Sequence, residues 1–286
     1  MGDGNDKKTS ANWSARFRWM RRAVGPWQPL TGHGVAAFRA ATVRRVLGFQ
    51  FLTALFSAAV LVWVVRRAWF PVVTRGLLEL PESAEISEGE LRWPDVQPVR
   101  LAENVWLDWL ITPGPRTDLG QTADLQVEVK RTELRINGLA GHLIVPYRSD
   151  VVVPLGRVEA SARWGAWNWV LLSGLGVATT LTLLVLWWCL ATLYTLPVLV
   201  LAIMLGRRVR LLGAWRIISA ALIPGALFAD WAILAYGIGA VRLLGFGILF
   251  TFHVIVGWIW LIWGLSHCPR AGSREPDNPF ESTHRD

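Results

Sequence analysis

Between Trp164 and Gly206 the sequence has no Asp, Glu, Lys or Arg, a run of 43 residues closed by Arg163 and by Arg207-Arg208. Charge is scarce elsewhere too. Only 17% of the 286 residues are charged, against 53% hydrophobic, and the mean hydropathy is +0.36. Runs this long and this uncharged exclude an ordinary soluble domain and indicate membrane spans. There are two cysteines, Cys189 inside an apolar run and Cys268 after the last one. Neither falls in the segment expected outside the cytosol, so no disulfide framework is implied. The chain contains no His-Glu-x-x-His, no Cys-x-x-Cys, no Walker loop and no Gly-x-Ser-x-Gly. The sequence therefore assigns no catalytic residue, no metal ligand and no cofactor. The first apolar run starts some 45 residues in and has no small-residue cleavage site after it, which marks it as an uncleaved signal anchor.

Tryptophan is abundant, at 18 residues. The indoles cluster near the ends of the apolar runs, at Trp63 and Trp69, at Trp164, Trp167 and Trp169, and at Trp258, Trp260 and Trp263. One side of an indole is apolar and the other donates a hydrogen bond, which suits the headgroup level of a bilayer. The formal charge is +8, unevenly spread. Residues 1–45 carry nine Lys or Arg against Asp3 and Asp6, whereas residues 68–162 carry nine against 14 Asp or Glu. This asymmetry is a topology signal with affinity for anionic lipid, and not the footprint of a nucleic-acid binder.

The layout follows from these patterns. Residues 1–34 form a basic, disordered cytosolic tail. Within it, Trp13 to Trp27 mixes arginines with aromatic rings and is open to two readings, a segment lying on the membrane surface or a tail that only sets topology. Residues 35–66 comprise an amphipathic lead-in over Val35 to Val46 and a first span over Leu47 to Val65, about the length needed to cross ~30 Å of hydrocarbon. The positive excess upstream of it puts the N-terminus in the cytosol. Residues 67–163 are a β-rich domain beyond the membrane, 164–265 a transmembrane helical bundle, and 266–286 a disordered cytosolic tail.

The inserted domain has β grammar. Leu125, Val127 and Val129 alternate with Gln126, Glu128 and Lys130, the period of a half-buried strand. Leu134 and Ile136 precede Asn137-Gly138, a hairpin signal, and then Leu139 to Val145. Ile86 to Trp93 with Glu88-Gly89 as its turn, Val99 to Ala102 and Val105 to Ile111 are further candidate strands.

The long apolar run has two readings. As a single helix it would be about 64 Å long, roughly twice the hydrocarbon thickness. It is either two spans with a turn near Trp188 to Thr195, or one crossing with a bent extension broken at Pro197. The charge rule favours one crossing, because Arg207, Arg208, Arg210 and Arg216 then stay cytosolic. That gives four spans, the later two being Ile217 to Ile238, with Pro224, and Leu243 to Trp263.

Asp230 is the one acid inside a membrane run and His253 the one histidine. If the last two helices form a hairpin turning near 240 and 241, residue 230 faces residue 251, and both groups lie near mid-bilayer. They are a candidate intramembrane polar pair, either moving a proton or fixing helix packing through a hydrogen bond. Arg207, Arg208 and Arg210 are candidate lipid contacts on the cytosolic side. Gly174, Gly176, Gly237, Gly239, Gly245 and Gly247 are small residues suited to close helix approach. In the inserted domain, Asp108, Asp118, Asp124 and His142 are the polar candidates, and scattered carboxylates there most simply form a solvated face.

Leu80-Pro81, followed by Ile86-Ser87-Glu88-Gly89-Glu90-Leu91, resembles the "Leu-Pro … Ile-x-Asn-Gly-x-Leu" opening of the outer domain in a bacterial family of uncharacterised multi-pass proteins, with Glu88 in the place of its Asn. Ala214-Trp215-Arg216 to Pro224 is similar to that family's entry into a late span. The resemblance implies one N-terminal span, an extracytoplasmic domain and a C-terminal bundle distantly like Yip-type membrane proteins. It implies no enzyme activity.

The expected fold class is therefore an α-helical multi-pass membrane protein with a small inserted β-rich extracytoplasmic domain, in the cytoplasmic membrane. The expected role is non-enzymatic, the outer domain binding a partner or ligand and the bundle anchoring or relaying. A small transporter or proton-coupled factor using Asp230 and His253 is the alternative.

Overall fold

The computed structural model describes residues 28–114, 120–139 and 141–272. The Trp13–Trp27 segment, Asp118 and the expected tail from 273 onward lie outside the described residues. Two compact units divide the chain. Among the described residues, one takes 28–59, Val177–Ile233 and 244–272, and the other takes Val60–Gly176 and Leu234–Leu243.

The first unit is helical. A short helix α1, Gly32–Ala37, is capped by Thr31, whose hydroxyl accepts the Gly34 N–H at 3.1 Å. A 3-10 turn over Phe38–Ala40 follows, and Ala41 is extended at φ −63° and ψ 153°. The expected continuous lead-in over Val35 to Val46 is thus two pieces. Phe38, Ala41 and Val46 are buried together with Ala220, so the break is fixed by packing. Helix α2, Val43–Ala68, starts after Thr42, whose hydroxyl accepts the Arg45 N–H at 3.4 Å.

Helix α3 is Phe70–Leu78, with proline at its first turn, and α4 is Arg157–Met204. Helix α5 is Leu211–Gly237 and α6 is Leu243–Ser266. Among the described residues, four helices are long and apolar enough to cross a membrane: α2 with its continuation α3, then α4, α5 and α6. Of these, α5 is the most enclosed and α6 the least.

Helix α4 decides between the two readings of the long run. It is one helix of 48 residues, about 72 Å at 1.5 Å per residue, with no turn at Trp188 to Thr195. It also runs through Pro197, where the sequence suggested a break. Proline there removes only the bond to the Leu193 carbonyl. Thr192 and Thr195 donate to the Trp188 and Ala191 carbonyls at 2.8 and 2.7 Å just before it. Beyond it, Val198 and Ala202 are buried against Ile217, Ile218 and Leu265, which holds the last turns helical.

The second unit is built on two sheets. Strands β1 Glu85–Ser87, β2 Glu90–Arg92 and β8 Val153–Pro154 form a three-stranded sheet in the order β2-β1-β8. Strands β3 Val99–Glu103, β4 Leu107–Thr112, β5 Leu125–Lys130, β6 Glu133–Gly138 and β7 Gly141–Pro146 form a five-stranded sheet in that order. All its pairings are antiparallel except β4–β5. Leu77 on α3 packs with Leu80, Leu91, Leu101, Ile111 and Val129 in the core of this unit. The first turns of α4 belong to it as well. Arg157 Nε donates to the Leu80 carbonyl at 3.1 Å, and Trp164 Nε1 donates to the Thr74 hydroxyl at 3.3 Å. The expected domain boundary at 163/164 therefore falls inside a helix.

The strands match the periodicity reading, with one shift. Asn137-Gly138 is not the turn, because Asn137 pairs with His142 and Gly138 with Gly141. Asn137 Nδ2 donates to Gln126 Oε1 at 3.0 Å, which keeps it within the sheet. In the β1–β2 hairpin, Glu88 and Gly89 both have positive φ, 55° and 81°, as a two-residue primed turn requires.

Candidate functional site

Asp230 is 2% exposed, in the C-terminal half of α5. Its partner comes from α2: Ser57 Oγ donates to Asp230 Oδ2 at 2.9 Å. Ser57 ends a buried polar row, Gln50, Thr53 and Ser57, spaced i, i+3, i+7 on one face of α2. Gln50 Oε1 accepts from Trp188 Nε1 at 3.1 Å, while Gln50 Nε2 is buried without a partner. Thr53 donates to the Phe49 carbonyl of its own helix at 2.8 Å. Val46 packs beside Ala220, and Ser57 meets Asp230 about three turns further along both chains, so α2 and α5 run parallel here.

His253 is not the partner of Asp230. Its Nδ1 lies against the Phe250 carbonyl of its own helix, and its ring packs on the Phe250 ring at 4.8 Å between centroids. Gly225 lies opposite His253 and Gly257, so Asp230 and His253 lie at similar levels along the α5–α6 hairpin. Helical phase separates the two side chains. Five residues from Gly225 turn the helix by about 140°, so Asp230 leaves the α6 face and points to α2. The signal that could have found Ser57 was in the first apolar run, where Gln50, Thr53 and Ser57 share a helical face.

The arginines that follow α4 divide by role. Gly206, at φ 63°, closes the helix, and the Arg207 N–H donates to the Ala202 carbonyl at 2.8 Å. Arg207 Nη1 donates to the Cys268 carbonyl at 2.7 Å. The Arg208 N–H donates to the Pro269 carbonyl at 3.0 Å and the Ala271 N–H to the Gly206 carbonyl at 2.9 Å. Arg207 thus helps clasp the segment after α6, whereas Arg208 and Arg210 are exposed. Burial pushes the Cys268 thiol up to about 11, against a smaller opposing pull from Arg39 and Arg207. Asp230 is the only acid among the described residues of this unit.

In the sheet unit, Asp108 is fully buried and accepts from Arg100 Nε at 3.0 Å, from Thr122 Oγ1 at 3.0 Å and from Gln126 Nε2 at 3.4 Å. Its oxygens are committed to structure. Asp124 accepts from the Tyr236 hydroxyl at 2.8 Å. His142 lies on β7, beside a polar cavity of ≈ 440 Å³ that Gln126 and Asn137 also line.

Strand β7 is one of the two edges of the five-stranded sheet, unpaired on its outer side among the described residues, and all six of its residues are exposed. Leu143, Ile144 and Val145 are 58%, 41% and 44% exposed, and they project alternately to the two faces. The Tyr147 N–H donates to the Thr132 carbonyl. By alternation, the main-chain groups of His142, Ile144 and Pro146 point away from β6, toward the open edge. Pro146 lacks an N–H at the position where the ladder would not use one.

No family model, no curated protein and no solved structure matches the chain.

Proposed function

We propose that this is a multi-pass protein of the cytoplasmic membrane, with its N-terminus in the cytosol, whose β unit captures an extended polypeptide on the outer side. The likeness to the multi-pass family is part of the same proposal. The observation that carries the binding role is β7, an edge strand exposed along its whole length with apolar residues on both faces. Natural sheets shield such an edge with charge or a covering segment, and an unshielded one is a template for strand addition. The free main-chain groups at His142 and Ile144 would give affinity, and Leu143, Ile144 and Val145 would select an alternating apolar partner. The four helices hold the unit at the membrane. Arg208 and Arg210, which are exposed, contact anionic lipid on the cytosolic face.

The test is a photo-crosslinking residue at His142 in intact cells, with the adduct identified by mass spectrometry. The expected adduct is to one extended protein segment, and it is lost in Ile144→Lys, which charges the edge without removing a ladder bond. An adduct of twice the chain mass would make the partner a second copy. Lipid-only adducts, or adducts unchanged in Ile144→Lys, would overturn the reading.

A second reading has its own observation. A carboxyl group that is 2% exposed and has a single hydroxyl donor is a candidate proton site. It would act with Ser57, not with His253. Proton flux in proteoliposomes that disappears in Asp230→Asn would support it, and flux equal in both proteins would remove it.

A further inference from the structure

Where α2 bends into α3, a groove of ≈ 440 Å³ opens against α4. Arg66, Phe70, Arg75, Asn168 and Trp169 line it, together with Leu172, which is buried. The Arg66 guanidinium lies over the Trp169 ring, 4.8 Å from its centroid. Arg75 donates to the Pro71 and Glu103 carbonyls at 3.3 and 3.4 Å, which leaves its charge without a carboxylate. No acid lines the groove, and no described ion pair involves Arg66 or Arg75. Two cations without a carboxylate, in a groove that no acid lines, call for a ligand that brings negative charge.

The position narrows the ligand further. Arg66 directly follows the first apolar run, and Asn168 lies at the start of the charge-free stretch that begins at Trp164. Trp63, Trp69 and Trp167 are exposed close by in sequence, as are the apolar Val170 and Leu171. Charge, indole and bare hydrocarbon surface meet in this order at a headgroup level.

We propose that the groove holds the headgroup of an anionic glycerophospholipid, with its phosphate on Arg66 and Arg75. The proposal rests on the membrane-spanning reading above. Guanidinium suits phosphate because its planar donor fork matches two phosphate oxygens. Net charge adds selectivity: a glycerol headgroup leaves the phosphate a net anion, whereas a choline headgroup brings its own cation beside Arg66 and Arg75.

The experiment titrates the delipidated full chain in detergent, by native mass spectrometry, with short-chain phosphatidylglycerol, phosphatidylcholine, diacylglycerol and glycerol 3-phosphate. Phosphatidylglycerol should bind at least about tenfold tighter than the other three, the loss expected for one charge-assisted hydrogen bond. Arg66→Gln should lose about tenfold, and Arg66→Lys should recover part of it, which also controls for folding. Arg208→Gln, at the other end of α4, should bind as the parent does. Equal binding of diacylglycerol, or of phosphatidylglycerol by Arg66→Gln, would overturn the site. Equal binding of glycerol 3-phosphate would overturn the lipid as its occupant. A chain that stayed soluble without detergent would defeat the membrane reading itself, whereas a detergent-requiring chain indifferent to phosphatidylglycerol would defeat only this proposal.

Discussion

The Tyr236 hydroxyl donates to the Asp124 carboxylate at 2.8 Å, while the Tyr236 carbonyl accepts the Trp106 indole N–H at 3.1 Å. One residue at the end of α5 therefore holds two points of the sheet unit, the start of β4 and the start of β5. Tyr236→Phe keeps the ring and the carbonyl and removes only the bond to the carboxylate. It should cost about 1 to 2 kcal/mol, as a hydrogen bond to a charged group does. Hydrogen exchange is the check: amides near Asp124 should exchange faster, with β3 unchanged. Equal protection in both proteins would mean that Tyr236 does not tie α5 to the sheet.

The pair Ser57–Asp230 should behave as a coupled unit. Ser57→Ala strips the carboxyl of its donor and should cost about 1 kcal/mol, the scale of an interhelical hydrogen bond in a membrane. In an Asp230→Leu background the same change should cost close to nothing, and a double-mutant cycle on thermal unfolding would show this. Additive effects would mean that the two residues do not depend on each other.

These two contacts also mark how far the sequence could be followed. Uncharged runs and alternating strand residues report solvation, which is local, so the four apolar helices and most strands were legible. Helix α4 was legible only as a choice, because Pro197 argues for a break and only packing around Val198 and Ala202 overrides it. The partner of Asp230 was illegible from depth alone. Depth follows from counting residues, but the facing helix follows from phase, and phase is set by where Gly225 lets α6 approach. The role of Arg207 was hidden for a similar reason, since its acceptor, the Cys268 carbonyl, is remote in sequence.

Glu88 sits at φ 55° in the β1–β2 turn, a conformation that costs an ordinary side chain about 1 kcal/mol and that Asn adopts more readily. Glu88→Asn should therefore stabilise the protein by about 0.5 to 1 kcal/mol, seen as a higher unfolding temperature. The change also removes the Glu88–Arg92 ion pair, but its side chains are 83% and 57% exposed and contribute little. A lower unfolding temperature would show that the ion pair outweighs the backbone term.

Cys268 should be a slow thiol. With burial pushing it to about 11 from an ordinary 9, about one thiol in a thousand is ionised at pH 8, against about one in ten when unfolded. Alkylation in a Cys189→Ser background should accelerate about a hundredfold on denaturation. The sign for stability follows from the raised value: the native state is unaffected below pH 9 and is weakened as pH climbs from 9 toward 11. Fast labelling of the native protein at pH 8 would contradict the buried, protonated thiol.

Gly225 and Gly174 look alike in sequence, each a glycine inside an apolar helix, but the structure gives them opposite roles. A Cβ at 225 would lie 2.9 Å from the His253 carbonyl oxygen and 3.4 Å from Gly257 Cα, whereas one at 174 would meet nothing within 4 Å. The obstacle at 225 is backbone, so no side chain can rotate away, and α5 and α6 must separate to admit a methyl group. Gly225→Ala should therefore cost about 1 to 3 kcal/mol, the scale of an overpacked core. Gly174→Ala should be neutral, or stabilising by up to about 1 kcal/mol, because alanine is the better helix former. Unfolding temperatures of both variants in the same detergent decide the matter. If Gly225→Ala were as stable as Gly174→Ala, the close crossing of α5 and α6 could not be present, and the phase that turns Asp230 toward Ser57 would lose its cause.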